Sequence, residues 1–211
     1  YAYEWHDPDM DYAYGHPVGA AIAKGRILSI DTEAAKDAPG VLAVVTALDV
    51  GEREKGKYNT ATVFGGDTVQ HYHQAVAVVV ARTFEAARAA AALVRVDYAP
   101  EDGAFDLEKA MDSAEKPDDS TKPDTAVGDF EQAFATAPVT LDAVYSTPDQ
   151  THAMMEPHAS IAAWKDGHLT IWTSSQMIDS WRIDLATMLG IDRERLHMMS
   201  PFNGRGFGRN L

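Results

Sequence analysis

The chain has 211 residues, 45% of them hydrophobic, which is enough for one large domain or two small ones with a real core. Its formal net charge is −14 and no basic stripe runs along it, which excludes nucleic acid as an expected partner. It contains no cysteine, so disulfides, thiolate zinc sites and iron–sulfur ligation cannot arise within it.

The first residues, Tyr1-Ala2-Tyr3-Glu4-Trp5, show neither the charged nor the apolar segment of a signal peptide and read as the inside of an element. The expectation is a piece of a longer protein. His16–Lys24 and Arg26–Ile30 are predicted as two strands, turning at Lys24-Gly25 and the second returning along the first. Asp31 is placed to cap a short helix over Thr32–Asp37, which Pro39-Gly40 ends. The β-branched run Val41–Thr46 predicts a buried strand, and the charged, glycine-bearing stretch Gly51–Gly66 an exposed loop. Gln74–Ala81 is a second buried strand. Thr83 caps an alanine-rich helix over Phe84–Leu93, and Val94–Tyr98 is a strand again. This alternation predicts helices covering a sheet in a mixed α/β layer. Neither Ala75–Ala81 nor Ala86–Val94 is long and unbroken enough to span a bilayer, so no membrane partner is expected.

Asp112–Val127 is rich in Pro, Ser and Asp and almost free of apolar residues, the composition of a flexible acidic linker. Beyond it, Gly128–Phe134 predicts a short helix and Val139–Tyr145 an alternating strand. Ser160–Trp164 and Leu169–Thr173 are joined through Lys165-Asp166-Gly167-His168, and Asp-Gly between alternating runs is a strong hairpin signal. After Ser174-Ser175-Gln176 a helix is predicted, carrying Ile178, Trp181, Ile183, Leu185 and Leu189 and stopping at Gly190. A strand over Arg195–Ser200 follows and runs into Pro201-Phe202-Asn203-Gly204-Arg205-Gly206-Phe207-Gly208. The resulting fold class is α+β, in mixed α/β layers.

Two strand ends, one carrying Gln176 and the other a glycine-rich loop, are candidates to face one space. Backbone N–H groups and one uncharged amide suit a polar cofactor better than acid–base chemistry. A structural alternative stands beside each: Gln176 as a loop amide satisfying backbone groups, and Gly206-Phe207-Gly208 as a tight exit turn. The chain has no P-loop, no GxSxG elbow and no HExxH. His152 and Glu156 share the i, i+4 spacing of a helix face, but Pro157 disturbs a helix there, and no metal ligands are assigned. His71 and His73 alternate onto one face if that run is a strand, and read as a surface pair.

In order and residue type, this C-terminal segment resembles the molybdenum-binding subunit of the xanthine dehydrogenase and aldehyde oxidase (molybdenum hydroxylase) family. That family has a strand ending in Ser/Thr-x-Gln, then a helix, then a strand running into Ser-Pro-Tyr-x-Gly-Gly-Gly-Phe-Gly-Gly-Lys. Here the same order is Thr173-Ser174-Ser175-Gln176 and Ser200-Pro201-Phe202-Asn203-Gly204-Arg205-Gly206-Phe207-Gly208-Arg209-Asn210. Met155-Glu156-Pro157-His158-Ala159 is also similar to the family, and the likeness is greatest to bacterial periplasmic aldehyde oxidoreductases. The chain departs from the pattern at Arg205, Arg209 and Asn210. A left-handed backbone at Arg205 would cost about 1–2 kcal/mol where glycine costs none.

The resemblance implies an α/β hammerhead domain over 1–111, the linker over 112–127 and the incomplete start of the molybdenum cofactor-binding domain over 128–211. It implies that Gln176, Gly206, Phe207 and Gly208 face a molybdenum–pterin cofactor, in its cytosine dinucleotide form. Glu156 and His158 become structural neighbours of that site. The implied activity is oxidation of aldehydes or hydroxylation of heteroaromatic carbons with water-derived oxygen, with electrons leaving to iron–sulfur and FAD subunits or domains. The other implied partner is the remainder of the molybdenum subunit. The family's general base is a Glu far toward the C-terminus, so no catalytic residue is assigned in this chain, and the chain alone is expected to be inactive. The implied location is the bacterial cytoplasm or periplasm. The competing expectation is a non-catalytic hammerhead module used for protein–protein contact.

Overall fold

The computed structural model describes residues 11–58, 63–115, 127–153, 155, 157–202 and 204. The chain divides into two compact units, one built from Tyr1–Gly103 with His152–Leu211 and the other from Ala104–Thr151.

The first unit begins with β1 (Tyr14–Gly19) and β2 (Gly25–Asp31), followed by α1 (Glu33–Lys36), β3 (Val41–Thr46), α2 (Ala47–Val50), β4 (Thr68–Val69), β5 (Ala75–Ala81), α3 (Phe84–Ala91) and β6 (Arg95–Pro100). β1 and β2 do not pair, contrary to the strand-and-return reading. β1 forms the edge of an antiparallel sheet ordered β1-β5-β3, while β2 is central in a second sheet ordered β4-β2-β6. Pro17 fits this placement, since an edge strand has one row of N–H groups with no ladder to serve. The expected helix-covered sheet is present, with α3 lying on the first sheet, although β5 and β6, which flank α3 in sequence, belong to different sheets.

The apolar faces of both sheets explain the arrangement. Ala20, Ile27, Ala47, Val69 and Val76 form one buried cluster, with Val18, Ile30, Phe64, Val96 and Tyr98 packed against it. On its other side the first sheet meets α3, whose buried residues are Ala87, Ala90 and Ala91; small side chains let the helix approach Val79 closely. The Thr83 hydroxyl caps α3 by accepting the Ala86 N–H at 3.1 Å, as predicted. Asp31 accepts the Glu33 N–H at 3.1 Å at the start of α1. β3 is at an edge and not buried as expected, for Leu42 remains 49% exposed. Residues 71–73 form a turn, so the His71 and His73 alternation does not arise from a strand; His73 has φ 63°.

The remainder of this unit is a third sheet. β7 (Ser160–Lys165) and β8 (His168–Thr173) form the predicted hairpin, with Asp166 at φ 49° and Gly167 at φ 76° as its two-residue turn. α6 (Ile178–Leu189) then leads to β9 (Leu196–Met199), which pairs parallel with β8. Leu169, Ala186, Leu196 and Met198 are the buried core between sheet and helix.

In the second unit, α4 (Leu107–Ala110) precedes the stretch read as linker and a 3₁₀ turn over Met111–Ser113 reaches its first residues; 116–126 lie outside the described residues. α5 (Phe130–Thr136) is capped by Asp129, whose carboxylate accepts the Gln132 N–H at 3.0 Å. Val139–Tyr145, predicted as a strand, forms none: Val139 is 86% and Val144 96% exposed. Alternation marks two faces, but a strand also needs a neighbour to take its backbone groups, and no described residue supplies one.

Candidate functional site

Parallel pairing of β8 and β9 sets the geometry. Leu169 stands opposite Leu196, Thr170 opposite His197, Ile171 opposite Met198 and Trp172 opposite Met199. Both strands therefore end at the same edge of the sheet, where Thr173–Gln176 and Ser200–Phe202 emerge. The carboxyl edge of parallel strands, with loops leading away from it, is where α/β layers commonly receive ligands.

The two loops are bonded to each other. The buried Ser175 donates its backbone N–H to the Ser200 hydroxyl at 3.0 Å. Its own hydroxyl accepts the Met177 N–H at 3.2 Å, satisfying an N–H at the entry to α6, where Met177 offers no side-chain cap. Ser175 thus turns inward and is consumed by the fold, while its neighbour Gln176 is exposed. Among the described residues no hydrogen bond engages the Gln176 carboxamide, which leaves its donor and acceptor available to a ligand oxygen.

At the far end α6 is held by Gly190, left-handed at φ 65°, ψ 34°. Gly190 N–H donates to Thr187 C=O at 3.1 Å and Ile191 N–H to Ala186 C=O at 3.0 Å, a double closure that releases the chain toward β9. Arg195, just before β9, donates from Nε to the Gly167 carbonyl at 2.7 Å and ties the hairpin turn to the same assembly. The helix, its stop and its connection therefore fix the spacing between the two loop ends.

Of the residues proposed from sequence to face a cofactor, Gln176 lies at this edge, while Gly206, Phe207 and Gly208, with the divergent Arg205, Arg209 and Asn210, lie outside the described residues. Glu156 does too, and His152 is exposed. Among the described residues no three His, Cys, Asp or Glu side chains converge as a metal site, and no helix is long and apolar enough to cross a membrane. Sequence reasoning missed Ser175 and Ser200 as a pair. The signal available was a small hydroxyl residue at each of two strand ends joined by one helix. It also missed Asp184, 3% exposed in the interior of α6, although an acid between Ile183 and Leu185 interrupts an otherwise apolar stretch.

Residues 1–102 match the a/b hammerhead domain of aldehyde oxidase and xanthine dehydrogenase, and residues 113–210 match the molybdopterin cofactor-binding domain. The chain is 53% identical over all 211 residues to the aldehyde oxidoreductase molybdenum-binding subunit PaoC of Escherichia coli K12, covering 29% of that protein. Its fold matches a Cu,Mo-CO dehydrogenase with a TM-score of 0.78 at 28% identity, over 99% of this chain and 29% of that one. Quinoline 2-oxidoreductase from Pseudomonas putida 86 shares the fold alone, with a TM-score of 0.79 at 23% identity over 100% of this chain and 29% of that one. The chain thus spans less than a third of the length of each of these relatives. With a hammerhead segment followed by a molybdopterin cofactor-binding segment over nearly its whole length, the chain belongs to the aldehyde oxidase and xanthine dehydrogenase family of molybdenum hydroxylases.

Proposed function

We propose that the protein carrying this chain oxidises aldehydes or hydroxylates heteroaromatic carbons, using water-derived oxygen and a molybdenum–pterin cofactor in its cytosine dinucleotide form. Electrons pass to iron–sulfur and FAD partners, and the remainder of the molybdenum subunit completes the site. The observation that carries this reading is the shared edge at which the β8 and β9 loops emerge, bonded through Ser175 and Ser200, with Gln176 exposed beside them. The family match over 113–210 and the likeness to an aldehyde oxidoreductase subunit support it.

The residues present suit such a group. A metal's oxygen ligands are hydrogen-bond acceptors, or donors when protonated, and a carboxamide can meet either. Gln176 carries no charge that would repel an anionic ligand, and its place in an exposed loop costs the core nothing. In this reading the Gln176 amide orients an oxygen ligand of the metal, and the Ser175–Ser200 bond keeps the two loops at fixed separation. By the same reading, Gly206, Phe207 and Gly208 would supply further backbone N–H groups to the cofactor, glycine being the residue type that permits close approach. When bound, the cofactor supplies the two-electron redox chemistry; no residue of this chain is assigned as the base. The corresponding domain division is 1–111 for the hammerhead, 112–127 for the linker and 128–211 for the cofactor-binding segment, supported by the family matches to 1–102 and 113–210.

Metal and pterin analysis of the full-length protein, purified in its native complex, tests the reading together with aldehyde-dependent reduction of an acceptor dye. Bound molybdenum, released pterin and turnover that chelation or cofactor loss abolishes are expected. A metal-free, pterin-free preparation with no such turnover would overturn it.

A further inference from the structure

Asp184 is costly where it stands. It lies in the interior of α6, where aspartate is a weak helix former, and it is 3% exposed. One carboxylate oxygen, Oδ2, accepts the Tyr58 backbone N–H at 2.8 Å. The other, Oδ1, is buried without a hydrogen-bond partner among the described residues. A buried carboxylate satisfied on one side only detracts from packing stability, so packing alone gives no reason for it.

What it holds gives one. Tyr58 is 126 residues earlier in the chain, in the loop that follows α2 within the hammerhead segment. The backbone of that loop passes directly over the carboxyl group: a Cβ at Gly56 would overlap the Asp184 carboxyl carbon. Glycine is required at 56 for space, and the acid is required at 184 as an acceptor. In the same loop the Lys57 ammonium rests 5.4 Å from the Tyr58 ring centroid.

We propose that Asp184 is a positioning residue that pins the Gly56–Tyr58 loop of the hammerhead segment onto the helix leading away from Gln176. The anchor holds α6 at Asp184, and through α6 it holds the loop that carries Gln176. Its effect on turnover rests on the reading of Gln176 given above; the anchor itself does not.

The test uses the full-length enzyme in its complex, loaded with metal, and compares Asp184→Ala, Asp184→Asn, Gly56→Ala and Gln176→Ala. Hydrogen exchange at the Tyr58 amide reports the anchor directly. Asp184→Ala should raise that exchange at least about tenfold, as expected when a loop opens locally without global unfolding. Turnover should fall with it. Asp184→Asn keeps a carbonyl acceptor and should restore both, and Gly56→Ala should raise exchange with the carboxylate intact. Unchanged Tyr58 exchange in Asp184→Ala, or exchange raised equally in Asp184→Asn, would overturn the proposal. If Asp184→Ala fails to fold, Gly56→Ala and Asp184→Asn decide it: raised exchange in the first with protection in the second supports the anchor, and unchanged exchange in Gly56→Ala overturns it. Unaltered turnover in Gln176→Ala would remove the cofactor reading, while Tyr58 exchange would still decide the anchor.

Discussion

The Ser175 N–H and the Ser200 hydroxyl meet at 3.0 Å across the ends of two parallel strands, 25 residues apart in sequence. This bond ties the loop carrying Gln176 to the loop that continues toward Gly206. Ser175 is buried, so removing its acceptor leaves an N–H that water reaches poorly. Ser200→Ala should therefore destabilise the protein by about 1–3 kcal/mol, the usual cost of an orphaned buried donor. Ser200→Thr, which keeps the hydroxyl, should lose much less. Urea unfolding midpoints of the two variants check this; equal midpoints for wild type and Ser200→Ala would show that the bond contributes nothing.

Gly190 offers a cleaner test of backbone strain. It is left-handed at φ 65°, and a Cβ there would meet no atom within 4 Å, so a substitution is penalised by conformation and not by crowding. Gly190→Ala should cost about 1–2 kcal/mol. Gly190→Asn should recover part of that, because asparagine tolerates this conformation better. Thermal unfolding of the pair measures the difference.

Acid should weaken the Thr46–Asp49 capping box at the start of α2. The Asp49 carboxylate accepts the Thr46 hydroxyl at 2.7 Å and the Thr46 N–H at 3.1 Å, and these bonds hold its pKa below the ordinary aspartate value. A folded-state pKa below the unfolded one gives stability that is complete above the unfolded value and is lost as pH falls through the folded value. The stability gap between wild type and Asp49→Ala should therefore be constant near neutrality and shrink only below the usual carboxylate range. Unfolding curves across that range check it; a gap independent of pH down to full protonation would contradict the assignment.

Local chemistry was legible in the sequence wherever one short segment determines its own structure. Asp166-Gly167 specified a turn that needs two left-handed residues, Thr83 specified a helix start, and Gly190 specified a helix end. Pairing between distant segments was not legible in this way. Nothing in His16–Ile30 says that β1 and β2 join different sheets, because the apolar faces that separate them belong to β4, β5 and β6. The alternation in Val139–Tyr145 was a true pattern without a neighbouring strand among the described residues. In α6 the apolar spacing concealed which side faces inward: Trp181 is 44% exposed while Asp184 is buried. At the candidate site, the order of strand, Gln176, helix and strand could be read directly from the residues. The serine bond across the strand ends could not, since it depends on the parallel register.

The central claim is that Gln176 acts on a bound cofactor and not on the fold. Gln176→Ala in the full-length, metal-loaded enzyme addresses it most directly, with turnover and thermal unfolding measured on one preparation. The side chain is exposed and makes no hydrogen bond among the described residues, so the unfolding temperature should stay within error of wild type. Turnover should fall about tenfold to a hundredfold or more, the scale seen when one oriented donor to a reacting centre is removed. Wild-type turnover in Gln176→Ala would contradict the account.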